Sequence, residues 1–378
     1  GLRFQADVDA FARRSWNFKR RDPLSRSVLT TQGDSSDNPA FRVALNEIYL
    51  NGEVSAGNQY TVGKKRVLWG TGFAANPTDL INPAKNPLDP TYERRGAWLV
   101  QGEHIQENQT FAILVAPMVL EDKNTLPTDV TFFRDADGVR RAHYLGGLRW
   151  YRLLGGADLN LMAFYSERFK EEKTGAWKGG ASWSQILEPI SKQLEGHAEI
   201  LVQRGSSRPS PVGQSRLDSS DLYYKLLAGV RYDFENESSL VIEILNQSDG
   251  DSVADLQTRL QRQIDLLARN PALAASTSAS SAAIQLKNTL FLNWQRYKFN
   301  DDLFLSWAVA HNLQDDSGYQ GPLLQWTPTQ SSSVTVVANT DYTLVKDSGV
   351  QLTKVGRRRV SELNPVKSRF ALELKSFF

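Results

Sequence analysis

The segment Asp221–Glu235, DLYYKLLAGVRYDFE, alternates with a period of two. Tyr224, Leu226, Ala228, Val230, Tyr232 and Phe234 form one face, and Lys225, Gly229, Arg231 and Asp233 form the other. Successive side chains of an extended strand point to opposite faces, so this stretch reads as a strand with one apolar and one polar side. The pattern recurs outward from it. Leu194, Ala198, Ile200 and Val202 oppose Glu195, His197, Glu199 and Gln203. At the start, Leu2, Phe4, Ala6, Val8, Ala10 and Ala12 oppose Arg3, Gln5, Asp7, Asp9 and Arg13. At the end, Phe370, Leu372, Leu374 and Phe378 oppose Arg369, Glu373 and Lys375.

Alternation alone fits a soluble β-protein as well as a membrane barrel. Segment length separates the two. Many segments run about 10 to 15 residues, soluble strands about 5 to 6, and a tilted bilayer-spanning strand needs about 9 to 11. Aromatic residues such as Trp16, Tyr60, Trp98, Trp150, Trp183, Trp294 and Trp307 fall within or near strand ends, as interfacial girdles require.

The strands are expected at 2–16, 41–51, 59–70, 94–105, 109–120, 142–153, 156–168, 174–187, 193–205, 221–235, 238–247, 285–299, 302–312, 321–329, 332–345 and 368–378. Connections after odd strands are mostly long and those after even strands short, as in barrels with long outer loops and short periplasmic turns. An even count closes the sheet without edges. The expected fold is therefore all-β: an antiparallel transmembrane β-barrel of sixteen strands, one domain over residues 1–378. Strand 321–329 contains Pro322 and Pro328, which belong at strand ends; without it the count falls to fourteen. In strand 109–120, Phe111, Ile113 and Val115 alternate with Ala112, Leu114 and Ala116. Both faces are apolar there, so either the lumen is partly apolar or a loop packs inside it.

The 378 residues carry 44 basic and 42 acidic side chains, a balance that argues against a general nucleic-acid binder. Mean hydropathy is −0.41, and no apolar run of about 18 residues offers a transmembrane helix. The absence of cysteine excludes disulfides and thiolate chemistry. The first residue, Gly1, reads as the start of a mature or trimmed product.

The terminal strand Phe370-Ala-Leu-Glu-Leu-Lys-Ser-Phe-Phe378 resembles the C-terminal signal of Gram-negative outer-membrane barrels. The stretch Val62-Gly-Lys-Lys-Arg-Val-Leu-Trp-Gly70, followed by Asn76-Pro-Thr-Asp79, resembles a pattern of porin-like and alginate-export-like barrels, in which such a strand enters a long loop. The resemblance implies an outer-membrane location among lipid and lipopolysaccharide. It also implies recognition of the last strand by the barrel assembly machinery.

Chemistry-bearing motifs are sparse. The residues two after His104, His143, His197 and His311 are Gln106, Leu145, Glu199 and Leu313, so the His-x-Ser pair of outer-membrane lipid hydrolases is missing. Glu195, His197 and Glu199 share a face and invite a divalent metal, but a hydrated charged wall accounts for them more simply. No phosphate-cradling glycine loop or catalytic glycine-serine elbow occurs. No enzymatic activity, cofactor or metal is expected.

The expected pore lining comprises Arg3, Asp7, Asp9, Arg13, Arg149, Glu195, His197, Glu199, Lys225, Arg231, Asp233, Glu243, Lys287, Arg369, Glu373 and Lys375. Closure should bring Arg3, Asp7, Glu373 and Lys375 together. Loop 71–93, stiffened by Asn-Pro and Asp-Pro pairs, is either an inward constriction presenting Asp79, Lys85, Asp89, Arg94 and Arg95 or a rigid external loop. Within loop 248–284, Val253, Leu256, Leu260, Ile264 and Leu267 recur with helical spacing.

These features point to a channel for small polar or charged solutes. The alternatives are an export conduit for an anionic polysaccharide, and a non-conducting scaffold, adhesin or lipid-modifying barrel. A homo-oligomer or a periplasmic partner is compatible with each.

Overall fold

The computed structural model describes residues 2–19, 40–82, 96–117, 133–134, 140–141, 144–167, 175–206, 221–258, 261, 265, 286–296, 302–329, 332–343, 350–352, 356–358 and 366–377. Among them, sixteen antiparallel strands form one closed barrel. They are β1 (Leu2–Lys19), β2 (Ala40–Ser55), β3 (Asn58–Lys65), β4 (Ala97–Gln106), β5 (Gln109–Pro117), β6 (Tyr144–Leu154), β7 (Ala157–Ser166) and β8 (Trp177–Ile186). The second half comprises β9 (Leu194–Arg204), β10 (Leu222–Asp233), β11 (Ser238–Gln247), β12 (Asn288–Arg296), β13 (Leu303–Asn312), β14 (Ser317–Thr329), β15 (Ser332–Thr343) and β16 (Val366–Phe377). Each strand pairs with its sequence neighbours, and β1 pairs with β16 to shut the ring. Two further two-stranded sheets, Phe133–Arg134 with Arg140–Arg141 and Val350–Leu352 with Gly356–Arg358, are not hydrogen-bonded into it.

The strand count is sixteen, and the proline-bearing strand is retained. Pro322 lies opposite Trp307 on β13, while the ladder to β15 passes from Gln320↔Thr340 to Leu323↔Val337 and skips Gly321 and Pro322. Proline has no N–H to donate, so the sheet yields locally and resumes.

Closure has a different register from the simple expectation. Arg13, not Arg3, lies across from Glu373, and Lys375 faces Phe11. Residues 2–8 pair only with β2, where Arg3 meets Asn51 and Asp7 meets Glu47. A barrel closes only with a stagger between its first and last strands, and that stagger separates the N-terminal charges from the C-terminal ones.

The two faces of the ring differ as the alternation requires. On β5, Phe111, Ile113 and Val115 point outward and are 47%, 58% and 48% exposed, while Ala112, Leu114 and Ala116 point inward and are buried. On β10, Leu222, Tyr224, Leu226 and Val230 are exposed outside, and Tyr223 and Leu227 are buried inside. Buried polar residues, among them Gln101, Asn160, Ser182, Gln203 and Asn293, also take the interior parity.

Strand β3 ends at Lys65, five residues before the expected Gly70. There the ladder partners are replaced by side chains. The Arg66 N–H donates to Glu47 Oε1 at 2.6 Å and the Val67 N–H to Asn82 Oδ1 at 3.2 Å. The Asn82 side-chain amide returns a hydrogen bond to the Val67 carbonyl. The chain thus leaves the wall and enters the barrel, and the N–H of Gly96 rejoins the wall at the Asn46 carbonyl.

The helix expected after residue 252 begins there. Ser252 and Asp255 exchange hydrogen bonds as a capping box, residues 253–258 are helical, and Leu256 is fully buried. The stripe residues Leu260, Ile264 and Leu267 lie outside the described residues.

Candidate functional site

Residues 66–82 lie inside the ring, held by an apolar anchor and a polar one. In the apolar anchor, Val67 and Trp69 pack with Leu99, Ala112, Leu114, Ala116, Leu145, Met162 and Phe164 of the wall, and Leu80 and Ile81 cover the cluster. The Trp69 and Phe164 rings sit 5.7 Å apart in a tilted pair. The doubly apolar strand β5 is thereby explained, because its inner side chains face a loop rather than water. Wall residue Gly147 makes space for the indole: a Cβ there would lie 2.9 Å from Trp69 Cζ3.

The polar anchor lies on β9 and β11. Glu199 is 1% exposed and accepts from five donors of the segment. Its Oε1 takes the N–H groups of Thr71 and Gly72 at 2.6 Å each and Asn76 Nδ2 at 3.2 Å. Its Oε2 takes the Thr78 N–H at 3.1 Å and the Thr78 hydroxyl at 2.8 Å. Glu243, also buried, accepts the Phe73 N–H at Oε1 and the Ala74 N–H at Oε2, at 2.6 and 2.7 Å. His197 Nε2 lies 2.8 Å from the same Glu243 Oε1. An ionised Glu243 accepts from all three groups, with the imidazole donating through Nε2. The Phe73 ring meets the imidazole edge-on at 5.2 Å, and the Arg231 guanidinium stands 5.4 Å from the Phe73 ring centre.

The expected wall residues therefore fall into distinct settings. Glu195, His197 and Glu199 share the interior side of β9, but His197 and Glu199 are covered by the segment and do not meet open lumen. Glu243 is covered in the same way. Arg231 and Asp233 stay accessible, with side chains 33% and 52% exposed and paired at 2.8 Å. Arg149 donates through Nε to Asn160 Oδ1 at 2.9 Å and stacks over Tyr151, whose hydroxyl donates to Asp158 at 2.5 Å. Lys225 is half-buried on the same side of β10. Arg3 and Asp7 share the interior parity of Gln5, which accepts a hydrogen bond from the Tyr49 hydroxyl. The Lys287 N–H donates to the Asp251 carbonyl just before β12. Glu373 and Lys375 are half-buried on β16, where the neighbouring Leu374 is exposed outside. Asp9, Arg13 and Arg369 have described backbone positions only.

Of the expected constriction residues, Asp79 lies on the inserted segment and accepts from the Asn82 N–H and side-chain amide. Lys85, Asp89, Arg94 and Arg95 lie outside the described residues. Among the described residues no three metal-ligating side chains form a cluster. Trp69 of the motif Val62–Gly70 and Asn82 of an Asn-Pro pair hold the segment, together with Phe73 and Thr78, which carry no signal of this role in the sequence. The inward apolar face of β5 was the signal that something must cover it.

Fold and site together define a closed sixteen-stranded β-barrel whose interior is partly filled by one of its own loops. No protein-family model matches the chain. No curated protein matches it either. Among solved structures, it is similar to mutants of the porin of Rhodopseudomonas blastica. A triple mutant aligns over 100% of both chains at 9% identity with a TM-score of 0.48. A further mutant of that porin gives 9% identity, 100% coverage of both chains and 0.48. A structure described as "Asymmetric conductivity of engineered proteins" gives 9%, 100% of both chains and 0.47.

Proposed function

We propose that the protein is an outer-membrane channel of a Gram-negative bacterium, passing small polar or charged solutes through the lumen left beside segment 66–82. The observation that carries this is the two-faced wall of a closed ring. Leu148, Leu161, Trp307 and Trp326 point outward and are each about half exposed, with relative accessibilities of 50–52%. Large apolar side chains arrayed around a whole barrel suit hydrocarbon, and hydrogen bonding around a closed ring leaves no strand edge for lipid to meet. The interior keeps accessible charge, Arg231 and Asp233 among it, which suits water-borne solutes. A polymer conduit fits less well, because the inserted segment occupies part of the bore and the lining charges are of mixed sign. Entry of the last strand through the barrel assembly machinery, and a surround of lipid and lipopolysaccharide, belong to the same proposal.

Planar-bilayer recording of the refolded protein tests it. Discrete conductance steps with a measurable ion preference are expected. A correctly folded barrel that gives no steps contradicts it.

A further inference from the structure

The inserted segment is not a simple apolar plug. Its flanks, around Trp69 and around Leu80 and Ile81, rest on the apolar cluster. Its middle lies outside that cluster, and the four consecutive N–H groups of residues 71–74 are shared two and two between Glu199 and Glu243. The irregular middle offers these donors no strand ladder, so without the carboxylates they would need water. Hydrogen bonds to an ionised acceptor are stronger than neutral ones, and successive N–H groups form a concavity suited to an anion. The backbone is shaped to this end. A Cβ at Gly70 would lie 2.8 Å from Glu199 Oε1, and one at Gly72 would lie 2.0 Å from the Ala75 carbonyl oxygen and 2.4 Å from Leu227 Cδ2.

We propose that Glu199 and Glu243 are paired positioning residues, a latch that fixes segment 71–78 across the lumen and sets the width of the channel. The effect on width rests on the channel reading; the fixing of the segment does not. With the latch removed, the flanks stay seated, the strand ladders persist and the middle swings into water. When Glu199 alone is removed, reseating the segment brings the donors of Thr71, Gly72, Asn76 and Thr78 around the space the carboxylate had filled, and a small free carboxylate fits it.

The test uses Glu199→Ala, Glu243→Ala, the double variant and Glu199→Gln in the refolded full chain, with folding verified by the heat-dependent gel shift of barrels. Two readouts are taken: amide hydrogen exchange at residues 71–74, read by mass, and single-channel conductance. Both should rise in the alanine variants, exchange by about tenfold or more in the double variant as the middle opens locally to water. Glu199→Gln should fall between wild type and alanine. Sodium formate should restore protection and lower conductance in Glu199→Ala, an effect that general loosening of the barrel would not produce. Unchanged exchange at residues 71–74 in the folded double variant, or indifference of Glu199→Ala to formate, overturns the latch. Faster exchange at unchanged conductance overturns its control of width. If the wild type itself is silent, the channel reading fails, and exchange and formate still decide whether the latch exists.

Discussion

At Gly229 the wall has no room for a side chain. A Cβ there would lie 2.5 Å from His197 Nε2, 2.7 Å from Glu243 Cγ and 2.7 Å from the Ile242 carbonyl oxygen. Two of these neighbours belong to the polar anchor and one is backbone, so little can give way. Gly229→Ala should cost about 1–3 kcal/mol, the usual range for overpacking, read as a lower midpoint in thermal or urea unfolding followed by gel shift. Gly179→Ala is the control. Its added Cβ meets nothing within 4 Å, so its midpoint should stay at the wild-type value. At this scale the sequence is legible for orientation and not for burial. Period two places Glu195, His197 and Glu199 on one side of a strand. The cover over His197 and Glu199 comes from residues up to 128 positions away in the chain, and no local pattern encodes that contact. The same limit hid Thr78, an ordinary residue until the fold sets it against Glu199.

The element that matters most is the inserted segment, and it can be pinned without reference to conduction. A Cβ at Gly180 of β8 would lie 3.6 Å from Thr78 Cβ, within the spacing of about 3.5–4.5 Å that a disulfide spans. The chain has no cysteine of its own, so a Thr78→Cys, Gly180→Cys pair has no competitor. Mild oxidation should join the two in the folded barrel, seen as a crosslinked tryptic fragment. A pair that stays reduced in folded protein places the segment elsewhere. The sequence signalled this element in two pieces. The glycine- and tryptophan-bearing stretch Val62–Gly70 marked entry to a loop, and the apolar inner face of β5 required a cover. It misplaced the boundary because Arg66, Val67 and Trp69 continue a strand-like pattern, whereas the structure gives Arg66 and Val67 side-chain partners in Glu47 and Asn82 and removes them from the ladder.

For the whole molecule, sixteen strands and the alternation of short and long connections were legible because they repeat around the ring. The stagger at closure was not, because it is fixed by the barrel as a body rather than by either strand. Hence Arg13, and not Arg3, lies opposite Glu373. The same repetition provides the most direct measurement. Fluorophores linked to single cysteines, placed in turn at positions 224, 225, 226, 228, 230 and 231 of β10 in a chain with no cysteine of its own, report in bilayers containing lipids brominated along their chains which side chains touch hydrocarbon. Strong quenching at 224, 226, 228 and 230, with weak quenching at 225 and 231, is the predicted result. Uniform quenching along the strand, or none at any position, would contradict a wall with lipid on one face and a lumen on the other.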